Sequence, residues 1–477
     1  MTLRSILLAA VGSVAMAGCV AGPAPEIATP VPQLPADFVY EPSSSDIASL
    51  AALLPIGDPA FGALADRAVA NAPTLAEALA RIDAARASAR GAGAARLPTI
   101  GADASVAATR TNPAQFGADL PAGINFDTEQ TAYAANLTAN WEVDIFGRLK
   151  ASERAAIARV DAATASAEAV RIALIAEIAG NVIDWRSLNA REAALTQDFQ
   201  AASRLASLAG TREEAGLAPG FDRVRAEAAA SQSRSRLALL ASERANIIGR
   251  LTALTATVPS EVTSALEPDY SVAGLPAAPA SLPSELLQSR PDVLAAAAEL
   301  AATDADLASA ARARFPRLTL SAALGLLAFD LSKLFDDGSD VYSLAGGLAA
   351  PLFDFGKIQA QIDGAAAGKQ AAFASYRGAV FNALGEAEAA YGLVAAADSQ
   401  AEAVQKENAD LERAASLAET RYRAGLADFL TVLEARRAAD ASGERAAASI
   451  GQAQRARVLL WQALGGDSQA ITRSTNQ

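Results

Sequence analysis

Two stretches decide the fold: Phe146-Gly147-Arg148, leading after a proline-free tract to Arg212-Glu213-Glu214-Ala215-Gly216-Leu217, and Phe355-Gly356-Lys357, leading likewise to Arg421-Tyr422-Arg423-Ala424-Gly425-Leu426. Gly147 to Gly216 and Gly356 to Gly425 are each separated by 69 residues. A continuous helix of that length would reach roughly 100 Å at about 1.5 Å per residue. Ordinary globular helices run to about 11–12 residues, so a duplicated rod of this kind needs lateral partners to stay helical.

Working outward, the duplication extends to the segments before each rod. Asn71-Ala72-Pro73-Thr74-Leu75 and Ser289-Arg290-Pro291-Asp292-Val293 both open a helix with proline in the first turn. Ala95-Arg96-Leu97-Pro98 and Ala313-Arg314-Phe315-Pro316 both close one. These pairs share an offset of 218 residues, which falls to 209 at the rods because the loop Thr111–Gln130 is longer than Asp330–Asp340.

Between the prolines and the rods the hydrophobic period changes to two. Ile100, Ala102, Ala104, Val106 and Ala108 alternate with Asp103, Ser105 and Thr109. Tyr133 to Ile145 alternates in the same way, with Trp141 and Val143 on the apolar side and Asn136, Thr138, Asn140 and Glu142 on the other. The second copy gives Leu318, Leu320, Ala322, Leu324 and Leu326, then Tyr342, Leu344, Leu348 and Leu352. This is the pattern of two-faced strands of membrane-spanning length. Four strands cannot close a barrel in lipid, so several chains must pool them. Two chains would give eight strands and a filled interior; three would give twelve and room for a channel.

After each Gly-Leu a helical pattern resumes, from Asp222 to about Thr255 and from Phe429 to Leu464, so each Gly-Leu is the tip of a helical hairpin. In the first rod Leu174, Ile175, Ile178, Val182 and Trp185 form an apolar stripe. Short helices are expected near Ser45–Leu54 and Ala60–Ala70, and Pro259–Pro283 connects the halves.

Composition narrows the function. The 477 residues carry a net charge of −13, which argues against nucleic acid as a partner. No histidine occurs, which removes His-based catalysis and most zinc sites. No acid pair stands out for a carboxylate-only enzyme, so no catalytic residue, metal or cofactor is expected. Cys19, the lone cysteine, follows a basic start, a short apolar run and Met16-Ala17-Gly18, resembling a bacterial lipobox. Residues 1–18 read as a signal peptide and Cys19 as a lipidated (palmitate-bearing) first mature residue, with Val20 compatible with the outer membrane.

Trp141-Glu142-Val143-Asp144-Ile145-Phe146-Gly147-Arg148, Leu282-Pro283-Ser284-Glu285-Leu286-Leu287, Arg290-Pro291-Asp292-Val293, Pro351-Leu352-Phe353-Asp354-Phe355-Gly356-Lys357 and the run from Arg421 through Arg436 together resemble the TolC family of outer-membrane efflux channels, in its OprM/NodT lipoprotein branch. The resemblance implies a mainly α chain with a small transmembrane β part. It implies a homotrimer with a 12-stranded β-barrel, four strands per chain, and a long periplasmic α-helical barrel. Residues 19–45 would be a lipidated proline-rich tether, 46–258 the first repeat, 259–288 an equatorial connector, 289–466 the second repeat and 467–477 a tail. The implied role is the passive exit duct of a tripartite efflux or export system, docked to a periplasmic adaptor and an RND-type inner-membrane pump. Gly216, Leu217, Gly425 and Leu426 match the adaptor-docking tips, and Asp222, Tyr422 and Glu434 the periplasmic gate. Ala427 and Thr431 depart from the ionic pattern that helps close channels of the TolC type. The competing reading is a structural, periplasm-spanning envelope lipoprotein without transport activity.

Overall fold

The computed structural model describes residues 24–40, 49–112, 129–270, 274–281 and 283–467. The signal peptide, Cys19, most of the first inter-strand loop, Leu282 and all but the first residue of the 467–477 tail lie outside the described residues. In chain order the first repeat consists of α1 (Pro59–Asn71), α2 (Pro73–Ala94), β1 (Thr99–Arg110), β2 (Glu129–Val143), α3 (Arg148–Glu214) and α4 (Gly220–Thr255). Short helices α5 (Pro259–Leu266) and α6 (Leu286–Ser289) follow. The second repeat is α7 (Pro291–Arg312), β3 (Arg317–Ala328), β4 (Asp340–Ala349), α8 (Lys357–Arg423) and α9 (Phe429–Ala463).

The two rods are continuous helices of 67 residues each. Each starts after a glycine in the left-handed region, Gly147 at φ +75° and Gly356 at φ +85°. Asp144 accepts from the N–H groups of Leu149 and Lys150, and Asp354 from those of Gly356 and Ile358, satisfying donors the first turn leaves free. That capping takes Ile145 out of β2, which ends at Val143 rather than running to Ile145. Likewise β4 stops at Ala349, so Leu352 lies beyond it. The helix expected over Ser45–Leu54 is, in its described part, a single 3-10 turn at Leu50–Leu53.

The strands form one antiparallel sheet in the order β1-β2-β3-β4. Register aligns Ala102, Leu137, Leu324 and Tyr342 in one row, and Ile100, Ala139, Ala322 and Leu344 in another. Paired residues share a face, so the apolar positions of all four strands fall together. The opposite face collects Thr99, Asn140, Ser321 and Ala345, then Gly101, Thr138, Ala323 and Ser343. On the apolar face Ile100, Leu137, Leu324, Tyr342 and Leu344 are each more than half exposed. Apolar area of this extent facing water is unfavourable, and it suits hydrocarbon. Among the described residues β1 pairs only with β2 and β4 only with β3, leaving two open edges.

Packing groups the chain into two units, each drawing on both repeats. One holds residues 24–30, 83–161 and 298–374, including the sheet. In it Ala24 and Ile27 pack against Leu307, Ile362 and Ala366, and Phe146 stacks on Phe315 with ring centroids 4.8 Å apart. The other holds residues 31–82, 162–297 and 375–467. Its main core contains the whole expected stripe Leu174, Ile175, Ile178, Val182 and Trp185, joined by Phe61, Leu251, Tyr391 and Trp461. Beside this core Arg186 donates to both oxygens of buried Asp58, at 2.8 and 2.9 Å, and to the Leu266 carbonyl.

Candidate functional site: the hairpin tips

Each long hairpin turns through the same hydrogen-bond pattern. Gly216 N–H donates to the Glu213 carbonyl and Leu217 N–H to that of Arg212, at 2.9 and 2.7 Å. Gly425 and Leu426 repeat this onto Tyr422 and Arg421, at 2.9 and 2.8 Å. This is the Schellman closure, which places the glycine in the left-handed region; the φ values are +68° and +75°. The closure turns the following leucine outward. Leu217 is 71% exposed and Leu426 70% exposed, so the four residues expected at the tips form two matching apolar points on bare turns.

Behind the turns the two hairpins meet in a small-residue seam. Ala202, Leu205 and Ala209 of α3, Ala226, Ala229 and Ala230 of α4, Ala418 and Tyr422 of α8, and Phe429, Val432 and Leu433 of α9 bury one another. Alanine lets four helices approach closely, and Tyr422 fills the remaining volume. Its ring meets Phe429 edge-on at 5.9 Å and carries the Arg212 guanidinium 4.6 Å above it. Arg212 also donates to the Tyr422 carbonyl at 3.3 Å, so it joins one hairpin to the other just inside the tips. The Tyr422 hydroxyl is buried without a partner among the described residues.

The expected gate residues occupy three different settings. Tyr422 lies inside the seam, Asp222 is half-buried in the first turn of α4, and Glu434 is exposed on α9. Among the described residues no hydrogen bond or ion pair joins the three. Thr431 donates its N–H at 2.7 Å to Asp428, which caps α9, and hydrogen bonding from the Thr431 side chain, then from its N–H, draws the Asp428 carboxyl below its ordinary value. Ala427 packs onto the seam. Neither position can supply a charge.

One constellation was not read from the sequence. Arg436 of α9 lies 2.8 Å from Asp440 on its own helix, 3.2 Å from Glu412 of α8 and 3.6 Å from Asp198 of α3. Three carboxylates thus share one guanidinium, and Asp198 is buried. Burial, followed by the Asp440 charge, pushes the Asp198 carboxyl up to about 8, and burial raises Asp440 as well. The spacing of Arg436 and Asp440 hinted at a local pair, but Asp198 lies on a helix more than 200 residues earlier.

Among the described residues no group of acidic, histidine or cysteine side chains has metal-binding geometry. No helix there is long and apolar enough to cross a membrane. The membrane-compatible surface is the sheet.

Known proteins bear on this arrangement. Residues 64–257 and 282–466, most of both repeats, match the family described as outer membrane efflux protein. The pyoverdine export outer membrane protein OpmQ of Pseudomonas aeruginosa is 30% identical over 422 residues, covering 87% of this chain and 88% of that protein. The toluene efflux pump outer membrane protein TtgI of Pseudomonas putida is 31% identical over 417 residues, covering 86% of each. The outer-membrane channel OprN superposes with a TM-score of 0.83 at 27% identity, covering 93% of this chain and 99% of that one. With paired rods, a four-stranded sheet and a match through both halves, the chain belongs to the outer membrane efflux protein family, the TolC-like channels, and serves as an outer-membrane efflux channel component.

Proposed function

We propose that the chain works as a homotrimeric, lipid-anchored exit duct, held to a periplasmic adaptor and fed by an inner-membrane pump of RND type. The observation that carries this reading is the sheet: four strands with a common apolar face and two open edges, a surface that lipid cannot accept until copies close it. Three copies would give twelve strands and a lumen lined by the Thr99, Asn140 and Ser321 face. An envelope lipoprotein that only spanned the periplasm would have no use for such a face. Relatives named for pyoverdine export and toluene efflux support small-molecule cargo. The channel itself contributes no catalytic group, and transport energy comes from the pump.

Anchoring through a lipid on Cys19 is supported by the residues just after it. Ala24 and Ile27, a few residues further along the chain, pack onto α7 and α8 within the same unit as the sheet. A single acyl chain gives marginal binding, and the barrel supplies the second hold. The exposed Leu217 and Leu426 tips are the adaptor contacts in this reading, Asp222 and Glu434 belong to the periplasmic gate, and Tyr422 acts on it from the seam behind the tips. Purification in detergent tests the assembly: a heat-resistant trimer conducting ions in planar bilayers is expected, and a non-conducting monomer would refute it. Cys19→Ser should abolish palmitate incorporation in cells; undiminished labelling would remove the lipid anchor.

A further inference from the structure

The internal repeat specifies one contact that a single chain cannot make. Within the chain the second strand of repeat one, β2, pairs with the first strand of repeat two, β3, from Tyr133 opposite Ala328 to Val143 opposite Leu318. Just past the end of this pairing Phe146 stacks on Phe315 at 4.8 Å. Under the repeat offsets of 209 and 218, β2 corresponds to β4, β3 to β1, Phe146 to Phe355 and Phe315 to Leu97. Yet Phe355 is fully exposed and Leu97 is 64% exposed. Phe355 is also held at φ +53°, a strained conformation for a bulky side chain.

We propose that Phe355 of one copy packs against Leu97 of a neighbouring copy, as the between-copy equivalent of the Phe146–Phe315 stack. The inference rests on the trimer proposed above. Carrying the β2–β3 register across the repeat sets β4 antiparallel to the neighbour's β1, with Leu344 opposite Ala108, Leu348 opposite Ala104 and Gly346 opposite Val106. Two independent features agree with that register. It keeps the apolar face of β4 on the same side as the apolar face of β1, where a shift by one residue would invert it. It also pairs most of the β1 edge, because Tyr342 to Ala349 map onto Arg110 to Asp103, eight of the twelve residues of β1. Beyond Leu352, beside Ile100, the line of contact reaches Phe355 beside Leu97. The occupant is a second copy rather than another protein, since the matching surface is encoded in the same chain.

The test is cysteine cross-linking of the full-length protein. Leu97→Cys/Phe355→Cys, oxidised in membranes, should yield covalent dimers and trimers that neither single variant nor the parent with Cys19 alone produces. Ala108→Cys/Leu344→Cys reads the strand register separately, should loss of Phe355 weaken assembly. Cross-links at the strand pair alone would retain the register and overturn the Phe355–Leu97 contact. A trimer by sizing with neither cross-link would overturn the proposal and leave the trimer standing, whereas a monomer throughout would overturn both.

Discussion

Asp198 of α3 lies 3.6 Å from Arg436 of α9, which also holds Asp440 at 2.8 Å, so two carboxyls from two helices crowd one guanidinium. An unfolded aspartate titrates near 3.8, whereas Asp198 in place is pushed up to about 8. The folded chain therefore binds more protons than the unfolded one between those values, and this group's contribution to stability is lost as pH rises through that window. Asp198→Asn, which cannot ionise, should flatten the dependence and be the more stable form above about pH 8. Thermal melts of parent and variant in detergent across this range check it; parallel curves would contradict the raised Asp198 carboxyl.

Tyr422 separates packing from hydrogen bonding. Its hydroxyl has no partner among the described residues, so Tyr422→Phe should leave stability unchanged or raise it by up to about 1 kcal/mol. Tyr422→Ala empties the centre of the four-helix seam and should cost about 3–5 kcal/mol, loosening the tips and raising single-channel current. Planar-bilayer recordings with denaturant melts distinguish the two. A raised current in Tyr422→Phe alone would mean that the hydroxyl bonds to another copy in the closed channel.

At the tips, Leu426→Asp changes a side chain that is 70% exposed, so the fold should tolerate it. Adaptor capture in cells should fall about tenfold or more, because a charge in an apolar contact must be desolvated without a partner. Unchanged adaptor cross-linking would take Leu426 out of the docking surface.

Asp58 and Arg186 form the most enclosed ion pair described, with side chains 1% and 8% exposed. Asp58 additionally accepts from Ala60 N–H and so caps α1. Arg186→Met strands a buried carboxylate and should cost about 3–5 kcal/mol, as read by urea unfolding. A loss below about 1 kcal/mol would show that water reaches the pair.

Much of this protein is determined by sequence alone. Rod length follows from uninterrupted helix formers between Phe-Gly and Gly-Leu, and the tips from glycines that alone accept a left-handed turn at little cost. The apolar stripe from Leu174 to Trp185 and the alternation of the strands are periodic, so they too are visible locally. Strand ends were less legible: Ile145 and Leu352 keep the alternation, but capping by Asp144 and the break after Ala349 remove them from the strands. What only the tertiary structure decided is which distant groups meet. Asp198 faces Asp440 and Arg436, and Arg212 covers Tyr422, because helix packing brings together residues separated by two hundred positions. The turn sequence at Gly425-Leu426 is a local property, whereas the raised carboxyl of Asp198 depends on three helices and has no signature in any one of them.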